Sequence, residues 1–413
     1  MRNNSALNFT LFTVLLLAAL AGLTWTNYRF SLANPGGNDF LARWVGANKW
    51  LLEGLSPYDE RVSLETQRLI YGHPADPEIG EDKNHFIYPM YAMVFFGPFG
   101  LLDYTVARAI WMTLLEVSAV AVIFVGLRLA EWRPSIWITA LLVLFALLWY
   151  HGARTIVIGQ FAGINAVLIT LSLLWIVREQ DVPAGIALAL ATSKPQMVFL
   201  LVPFVLIWAY SIRRFRIISS FLTTFAIQVA LSLALIPGWP VQMAIQMLEY
   251  PTYTHIGSPL SVIAAAAPGI EGTINNLLHV IAYLYLLVQW ALAWRKDKRW
   301  FLWTALMTLV ITNMTAFRTA TTNFVVLVPV LLLVFRVWEQ RWKGTGRVFT
   351  LISMLLLGVG LWALFLATVS GNVESAAMYL PLPFFCLATL WWARWWSLRP
   401  PRLLLEEFAD RLG

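Results

Sequence analysis

Long apolar runs recur along this chain and are separated by short polar or basic segments. Hydrophobic residues make up 59% of the 413 residues and charged residues only 12%, whereas soluble domains carry about 25% charged residues. A run of roughly 20 apolar residues crosses a bilayer as a helix, with every backbone hydrogen bond made internally. The sequence therefore predicts an all-α polytopic membrane protein without a separate soluble domain. We place the apolar spans near residues 7–25, 105–127, 135–150, 156–177, 217–237, 274–294, 300–315, 321–338, 347–369 and 376–396.

The apolar segment 184–211 is interrupted at Lys194-Pro195, which raises the question of whether it crosses once or twice. Basic loops are enriched on the cytoplasmic side of membrane proteins. The later basic loops are all cytoplasmic only if this segment enters the membrane from the cytoplasmic side and returns to it, with Lys194 at its outer turn. A first arm of roughly ten residues is too short to span a bilayer and must rest on protein. The prediction is about twelve crossings in the plasma membrane, with both termini cytoplasmic. The basic loops lie at residues 213–216, 295–299 and 341–347.

The net charge of +7 invites a nucleic-acid interpretation, but the basic residues lie in short loops between apolar runs, so no nucleic-acid partner is expected. Residues 11–25 precede no small-x-small cleavage site, which favours an uncleaved first span over a signal peptide. The lone Cys386 excludes an intrachain disulfide. The chain carries none of the usual phosphate-loop or zinc motifs, and its histidine spacings do not suggest a metal cage. We therefore expect no metal or cofactor.

One large extracytoplasmic region, residues 26–104, is predicted within a single integral membrane domain of residues 1–413. Residues 39–53 place apolar side chains on one helical face, which predicts an amphipathic helix at the membrane interface that stops at Gly54. The apolar tract 86–102 is broken by prolines and glycines, so we expect a re-entrant or interfacial segment there.

Asp39 lies where the first span gives way to the amphipathic helix, and we predict that it is catalytic. Its alternative role is to cap that helix, because Asp is a preferred N-cap residue. Other polar residues are predicted to converge on the same outer face, where polar groups at membrane depth usually mark function. The substrate-binding candidates are Tyr88, His85, His151, Arg154, Gln160, Asn165, Lys194, His255, Arg318 and Asn323.

These candidates have structural alternatives. Lys194 beside Pro195 can hold a phosphate, but a lysine can also snorkel to the interface. Arg318 can serve as an interfacial anchor. Gln160 and Asn165 stand early in a predicted span, where a buried interhelical hydrogen bond is as reasonable as a ligand contact. His151, Arg154 and His255 can be loop residues that face water.

Four short stretches occur in a characteristic order between about residue 38 and residue 216. They are Asn38-Asp39-Phe40 leading to Gly54-Leu55-Ser56-Pro57-Tyr58-Asp59, then Phe86-Ile87-Tyr88-Pro89, then Gly159-Gln160 with Asn165, and then Ser193-Lys194-Pro195. In this order they resemble glycosyltransferase family 87. The resemblance implies a GT-C fold, a polyprenyl-phosphate-sugar donor used outside the cytoplasm, and a catalytic aspartate in the first outer loop, at Asp39. Mannosyltransferases of the cell envelope are the best-known members.

The second half departs from the family pattern. Many members carry a Ser-Pro…Trp-x-His stretch that opens a late span, whereas residues 315–323 here lack the histidine. Thr322 or Asn323 stands near its place, and Arg318 is a candidate to take over its work. The donor sugar is accordingly left open between mannose and another hexose or pentose.

A polyprenyl-phosphate sugar brings its own leaving group, so the enzyme needs a base for the acceptor hydroxyl and a cation for the departing phosphate. Asp39 is the predicted base, with Lys194 and Arg318 at the phosphate, and direct attack inverts the anomeric centre. The disfavoured retaining route would use Asp59 or Glu53 as a second carboxylate. Two rival functions remain, a transporter or flippase of lipid-linked sugars and a purely structural membrane protein.

Overall fold

The structure is a computed structural model that describes residues 2–253, 257–371 and 373–398, with side chains described from residue 8 onward. About 80% of it is helical, and the described part contains no β-strand. The all-α prediction is therefore confirmed. The α-helices are α1 (Arg2–Ala33), α2 (Asn38–Glu53), α3 (Glu60–Tyr71), α4 (Met93–Phe96), α5 (Tyr104–Leu129), α6 (Ile136–Leu148), α7 (Tyr150–Ile158), α8 (Ala162–Val177), α9 (Asp181–Ala191), α10 (Leu201–Ser211), α11 (Phe215–Leu235), α12 (Trp239–Tyr253), α13 (Pro259–Ala264), α14 (Glu271–Ala293), α15 (Lys298–Thr315), α16 (Val328–Trp342), α17 (Gly344–Leu355), α18 (Leu361–Thr368) and α19 (Pro381–Leu398).

Seven helices among the described residues are long and apolar enough to cross a membrane, and an eighth candidate is the pair α6–α7, which bends by 51°. The chain is thus a multi-pass membrane protein by helix length and composition. The predicted span 156–177 is shorter than expected, because only α8 is continuous there. The seven candidates are Asn8–Ala33, Tyr104–Leu129, Phe215–Leu235, Glu271–Ala293, Thr321–Trp342, Gly344–Thr368 and Ala376–Leu398.

The interrupted segment folds back on itself. Arg214, just after α10, donates from Nε to Oδ1 of Asp181, the first residue of α9, at 3.0 Å. The ends of the two arms that are farthest from Lys194 along the chain therefore meet, and Lys194 lies at the turn between the arms. Each arm has 11 residues, or roughly 17 Å of helix, which is too short to cross a bilayer.

The basic loops gather at the end of the bundle where that hairpin begins. Trp208 donates from its indole nitrogen to the carbonyl of Lys296 at 3.2 Å, and the Arg295 N–H donates to Ser211 Oγ at 3.1 Å. Helix α15 starts beside these contacts and runs away from them, so Arg318 lies at the other end with Lys194.

Helix α2 forms one residue earlier than predicted and ends where predicted, with Gly54 in the left-handed region at φ 68°. Its surroundings differ from the prediction. Phe40 and Ala47 are fully buried against protein, and Gly100 touches the helix so closely that a Cβ there would lie 2.8 Å from the Ala47 carbonyl carbon. The apolar face was assigned to the lipid interface, but the tract 86–102 covers it. That tract consists of short helical turns and no span, as expected.

Two boundaries are corrected by the structure. The first apolar helix continues to Ala33 rather than ending near residue 25. The predicted loop after residue 150 is helix α7, which the bend at Trp149 separates from α6. Hydropathy alone missed α7 because its polar residues interrupt the apolar run.

Candidate active site

A glycine turn fixes the start of helix α2. The Tyr104 hydroxyl donates to the carbonyl of Gly36 at 2.5 Å, and Arg108 donates from Nη1 to the carbonyl of Asn34 at 2.6 Å. Gly37 has φ 77°, and a Cβ there would lie 2.7 Å from Arg108 Nε. The turn therefore requires glycine on both backbone and steric grounds, and it places Asp39 in the first turn of α2.

Asp39 does not cap this helix. Gly37 occupies the N-cap position, and Asp39 is the second helical residue, where its charge suits the positive end of the helix dipole. Its side chain is 32% exposed, and its Oδ1 lies 3.8 Å from Nη1 of Arg43, one turn along. The capping alternative is wrong, and the carboxylate is accessible.

Tyr88 and Gln160 connect the segment between α1 and α5 to the turn of the broken hairpin. The Tyr88 hydroxyl donates to Gln160 Oε1 at 3.0 Å, and the Lys194 ammonium donates to the same oxygen. Arg43 lies 4.8 Å above the Tyr88 ring and Lys194 Nζ lies 5.9 Å from its centre, two cation–π contacts. Burial raises the pKa of Tyr88 to about 12, so its hydroxyl remains a donor at neutral pH.

Lys194 is only 1% exposed, so the snorkelling alternative is wrong. Burial lowers the pKa of Lys194 to about 7, and the negative charge of Asp39 opposes this fall. Among the candidates predicted from sequence, Asp39, Tyr88, Gln160 and Lys194 are brought together here.

Arg154, on helix α7, is held by an acidic side chain from late in the sequence. Its Nη1 lies 3.2 Å from Glu374 Oε2. Glu374 in turn accepts hydrogen bonds from Tyr150 at 2.9 Å and from Thr321 at 2.7 Å. This buried cluster joins α7 to the segment between α18 and α19. Sequence reasoning missed Glu374, although a single acidic residue between two late spans was a visible signal.

His151 and Asn165 are both fully buried. His151 packs edge-on against Phe324 with ring centres 5.3 Å apart, so it does not face water. Neither of its ring nitrogens has a hydrogen-bond partner within the described residues. Asn165 Nδ2 contacts Met197 Sδ at 3.6 Å. This contact favours a structural role for Asn165 between neighbouring segments, and it holds the turn that carries Lys194.

The remaining candidates lie around helix α12 and the late turn. His85 Nε2 is 3.4 Å from Glu249 Oε2, and Arg318 donates from Nη2 to the Pro251 carbonyl at 3.4 Å. Asn323 donates to Thr319 Oγ1 at 3.0 Å and is buried. His255 lies outside the described residues.

The carboxylates considered for a retaining route are engaged elsewhere. Asp59 caps α3 by accepting from the Arg61 N–H at 2.9 Å. Glu53 accepts from Lys49 at 2.6 Å on the exposed end of α2. Groups of three or more His, Cys, Asp or Glu that could hold a metal are absent from the described part of the chain.

Three residues near Asp39 were missed by sequence reasoning. Arg43 projects from α2 over the Tyr88 ring at 4.8 Å. Asp82 and Tyr250 both lie within electrostatic range of Asp39. Tyr250 comes from helix α12, which packs on the outer region through Gln246, whose amide donates to the Tyr58 carbonyl at 3.1 Å.

Residues 86–251 match the model of glycosyltransferase family 87. The match includes Tyr88, Gln160 and Lys194, and it begins after Asp39. It confirms the predicted resemblance to this family and, with it, the predicted class of enzyme, a membrane glycosyltransferase. No curated protein and no solved structure matches the chain.

Proposed function

We propose that this protein transfers a sugar, mannose or another hexose or pentose, from a polyprenyl-phosphate donor to a lipid or glycan acceptor. The observation that carries the proposal is one accessible carboxylate, Asp39, whose Oδ1 lies 3.8 Å from Nη1 of Arg43. Arg43 and the buried Lys194 lie 4.8 Å and 5.9 Å from the centre of the same Tyr88 ring, which gathers the carboxylate and two basic side chains in one site. A base beside preorganised cations is what transfer from a lipid phosphate needs.

In the proposed reaction, the acceptor hydroxyl oxygen bonds to the anomeric carbon of the donor. The bond from that carbon to the phosphate oxygen breaks, and its electron pair leaves with the phosphate. Asp39 takes the hydroxyl proton, while Lys194 and Arg43 balance the charge of the phosphate. Direct displacement inverts the anomeric centre. The engagement of Asp59 and Glu53 in other contacts supports this route over a retaining one.

We place the site on the extracytoplasmic face of the plasma membrane. Support comes from the basic loops, which gather at the end of the bundle away from Asp39, as the positive-inside rule requires. Counting the seven candidate spans, the bent pair, both hairpin arms, α8 and α15 gives about twelve passages toward or through the membrane, in keeping with a GT-C architecture.

The test is transfer itself. Vesicles containing the purified protein are incubated with radiolabelled polyprenyl-phosphate mannose, glucose or arabinose and with membrane lipid extract. The proposal expects a new labelled product that survives mild acid, which cleaves the donor phosphate bond. A transporter would move label across the vesicle membrane without forming that product, and this outcome would replace the proposal.

A further inference from the structure

Helix α12 turns a polar face toward the rest of the protein. Gln246 on this face is buried, and Gln242, one turn earlier, accepts a hydrogen bond from Ser56 Oγ at 2.8 Å. The opposite face carries Val241 and Leu248, whose side chains are exposed. Helix faces that pack on protein are usually apolar, so the inward glutamines call for a specific role.

The two ends of the Gln246 amide hold two different segments. Its Nε2 donates to the Tyr58 carbonyl at 3.1 Å, and its Oε1 accepts from the Ile87 N–H at 3.3 Å. Tyr58 in turn donates from its hydroxyl to the Tyr88 carbonyl. One side chain of α12 therefore fixes both the residue that precedes Tyr88 and the residue that holds the Tyr88 carbonyl.

The backbone of Ile87 is strained. Its φ is 47°, in the left-handed region, which a β-branched residue rarely adopts because its Cβ crowds the backbone. Among the described residues, no other valine, isoleucine or threonine has a positive φ. Such a conformation persists only where the surrounding structure holds it. At Ile87 the hydrogen bond from the N–H to Gln246 is one such restraint.

The strained residue sets the direction of Tyr88. The Tyr88 hydroxyl donates to Gln160 Oε1 at 3.0 Å, and the same oxygen accepts from Lys194. Arg43 lies 4.8 Å from the centre of the Tyr88 ring. A change of φ at Ile87 would swing the Tyr88 side chain away from these three partners, because Tyr88 is the next residue along the chain.

We propose that Gln246 is a positioning residue, which holds Ile87 in its strained conformation so that Tyr88 reaches Gln160 and Lys194. Gln246 acts through Tyr88 and does not itself touch the substrate. Without Gln246, Ile87 relaxes toward negative φ and the site loses its arrangement. The inference rests on the proposed function, in which this site binds the phosphate of the polyprenyl donor.

The test measures the affinity of the purified protein in vesicles for polyprenyl phosphate. Gln246→Met keeps a long, unbranched side chain but makes neither hydrogen bond. It should weaken this affinity about tenfold, the effect of leaving buried polar groups unpaired. Gln242→Met is the matched control, because it makes the same change on the same face of α12 at a residue that contacts Ser56. It should leave the affinity unchanged.

Two further measurements separate positioning from packing. Tyr88→Phe removes the hydroxyl that reaches Gln160, and its loss of affinity should not add to that of Gln246→Met in the double variant, because both act through the same contact. Ile87→Gly should restore about fivefold of the affinity lost in Gln246→Met, since glycine adopts positive φ without the strain. Ile87→Val keeps a β-branched side chain and should restore none.

Three results would overturn the inference: equal losses of affinity in Gln246→Met and Gln242→Met, full additivity with Tyr88→Phe, or no recovery with Ile87→Gly. Wild-type affinity in Gln246→Met would do the same. Transfer of sugar by the wild type would leave the proposed function standing in each of these cases. A wild-type protein that neither binds polyprenyl phosphate nor transfers sugar would instead overturn the proposed function itself.

Discussion

Gly159 lies so close to Phe40 that a Cβ atom at position 159 would be 2.5 Å from the Cβ of Phe40. Trp111 secures this contact, because its ring stacks on Phe40 at 4.8 Å and its indole N–H donates to the Gly159 carbonyl at 2.9 Å. The residue after Asp39 is thereby packed against the residue before Gln160. Two of the short stretches that carry the family resemblance therefore contact each other in the fold.

Gly159→Ala should destabilise the protein and slow transfer. Gly159 has φ 75°, where a Cβ costs about 1–2 kcal/mol, and the collision with Phe40 should add about 1–3 kcal/mol. Gly54→Ala is the matched control, because Gly54 has φ 68° and nothing within 4 Å of its missing Cβ. Thermal unfolding in detergent measures the stability of both variants. Equal losses in the two variants would show that the contact with Phe40 contributes nothing.

Asp39→Asn should lower the rate of transfer by about 10²–10⁴, the value of a well-placed base. Folding and donor affinity should remain, since Gly37 and not Asp39 occupies the cap. Asp59→Asn serves as the control, because it removes a carboxylate that caps α3 and should keep turnover. Wild-type turnover in Asp39→Asn would remove Asp39 from the mechanism, and unfolding would assign it a structural role.

Lys194→Gln should weaken donor binding and slow transfer, whereas Lys194→Arg should keep part of both. The ammonium is a compact charge suited to phosphate, and it is buried beside Gln160 and Tyr88. Lys49→Gln is the control, since Lys49 pairs with Glu53 on the exposed end of α2. Titration with polyprenyl phosphate measures the donor affinity of each variant. A value unchanged in Lys194→Gln would leave Arg43 and Arg154 as the phosphate ligands.

Glu374→Gln should lower the free energy of unfolding by about 1–3 kcal/mol, because it removes the charge from a hydrogen-bonded buried pair. It should also slow transfer, since Arg154 would lose the partner that orients it near Asp39. Glu131→Gln is the control: Glu131 is exposed and lies 3.6 Å from Arg336, and such pairs contribute about 0–1 kcal/mol. Similar denaturation curves for both variants would contradict the prediction.

Cysteine labelling should place the two ends of the bundle on opposite sides of the membrane. The native Cys386 is buried, so introduced cysteines report alone. Glu78→Cys, on the outer loop, should react with an impermeant maleimide in intact cells. Lys343→Cys and Lys296→Cys should react only after permeabilisation. Labelling of position 296 but not of position 78 in intact cells would show that the topology is the reverse of the one proposed.

The sequence by itself determined the class of fold and several of its boundaries. Apolar run length and helix-ending residues are local properties, so the spans, the break at Lys194-Pro195 and the end of α2 at Gly54 could be read along the chain. The order of short motifs also identified the family. These features depend on neighbours within a few turns, which is why one sequence was enough.

Only the tertiary structure decided which side chains meet. Tyr150 and Glu374 share a hydrogen bond although they are 224 residues apart, and no local pattern encodes that pairing. Likewise, periodicity gave α2 an apolar face but could not say whether lipid or the tract 86–102 covers it, since both are apolar environments. The direction of Arg43 and the burial of Lys194 follow from how the helices pack, because packing fixes the distances on which charge interactions depend.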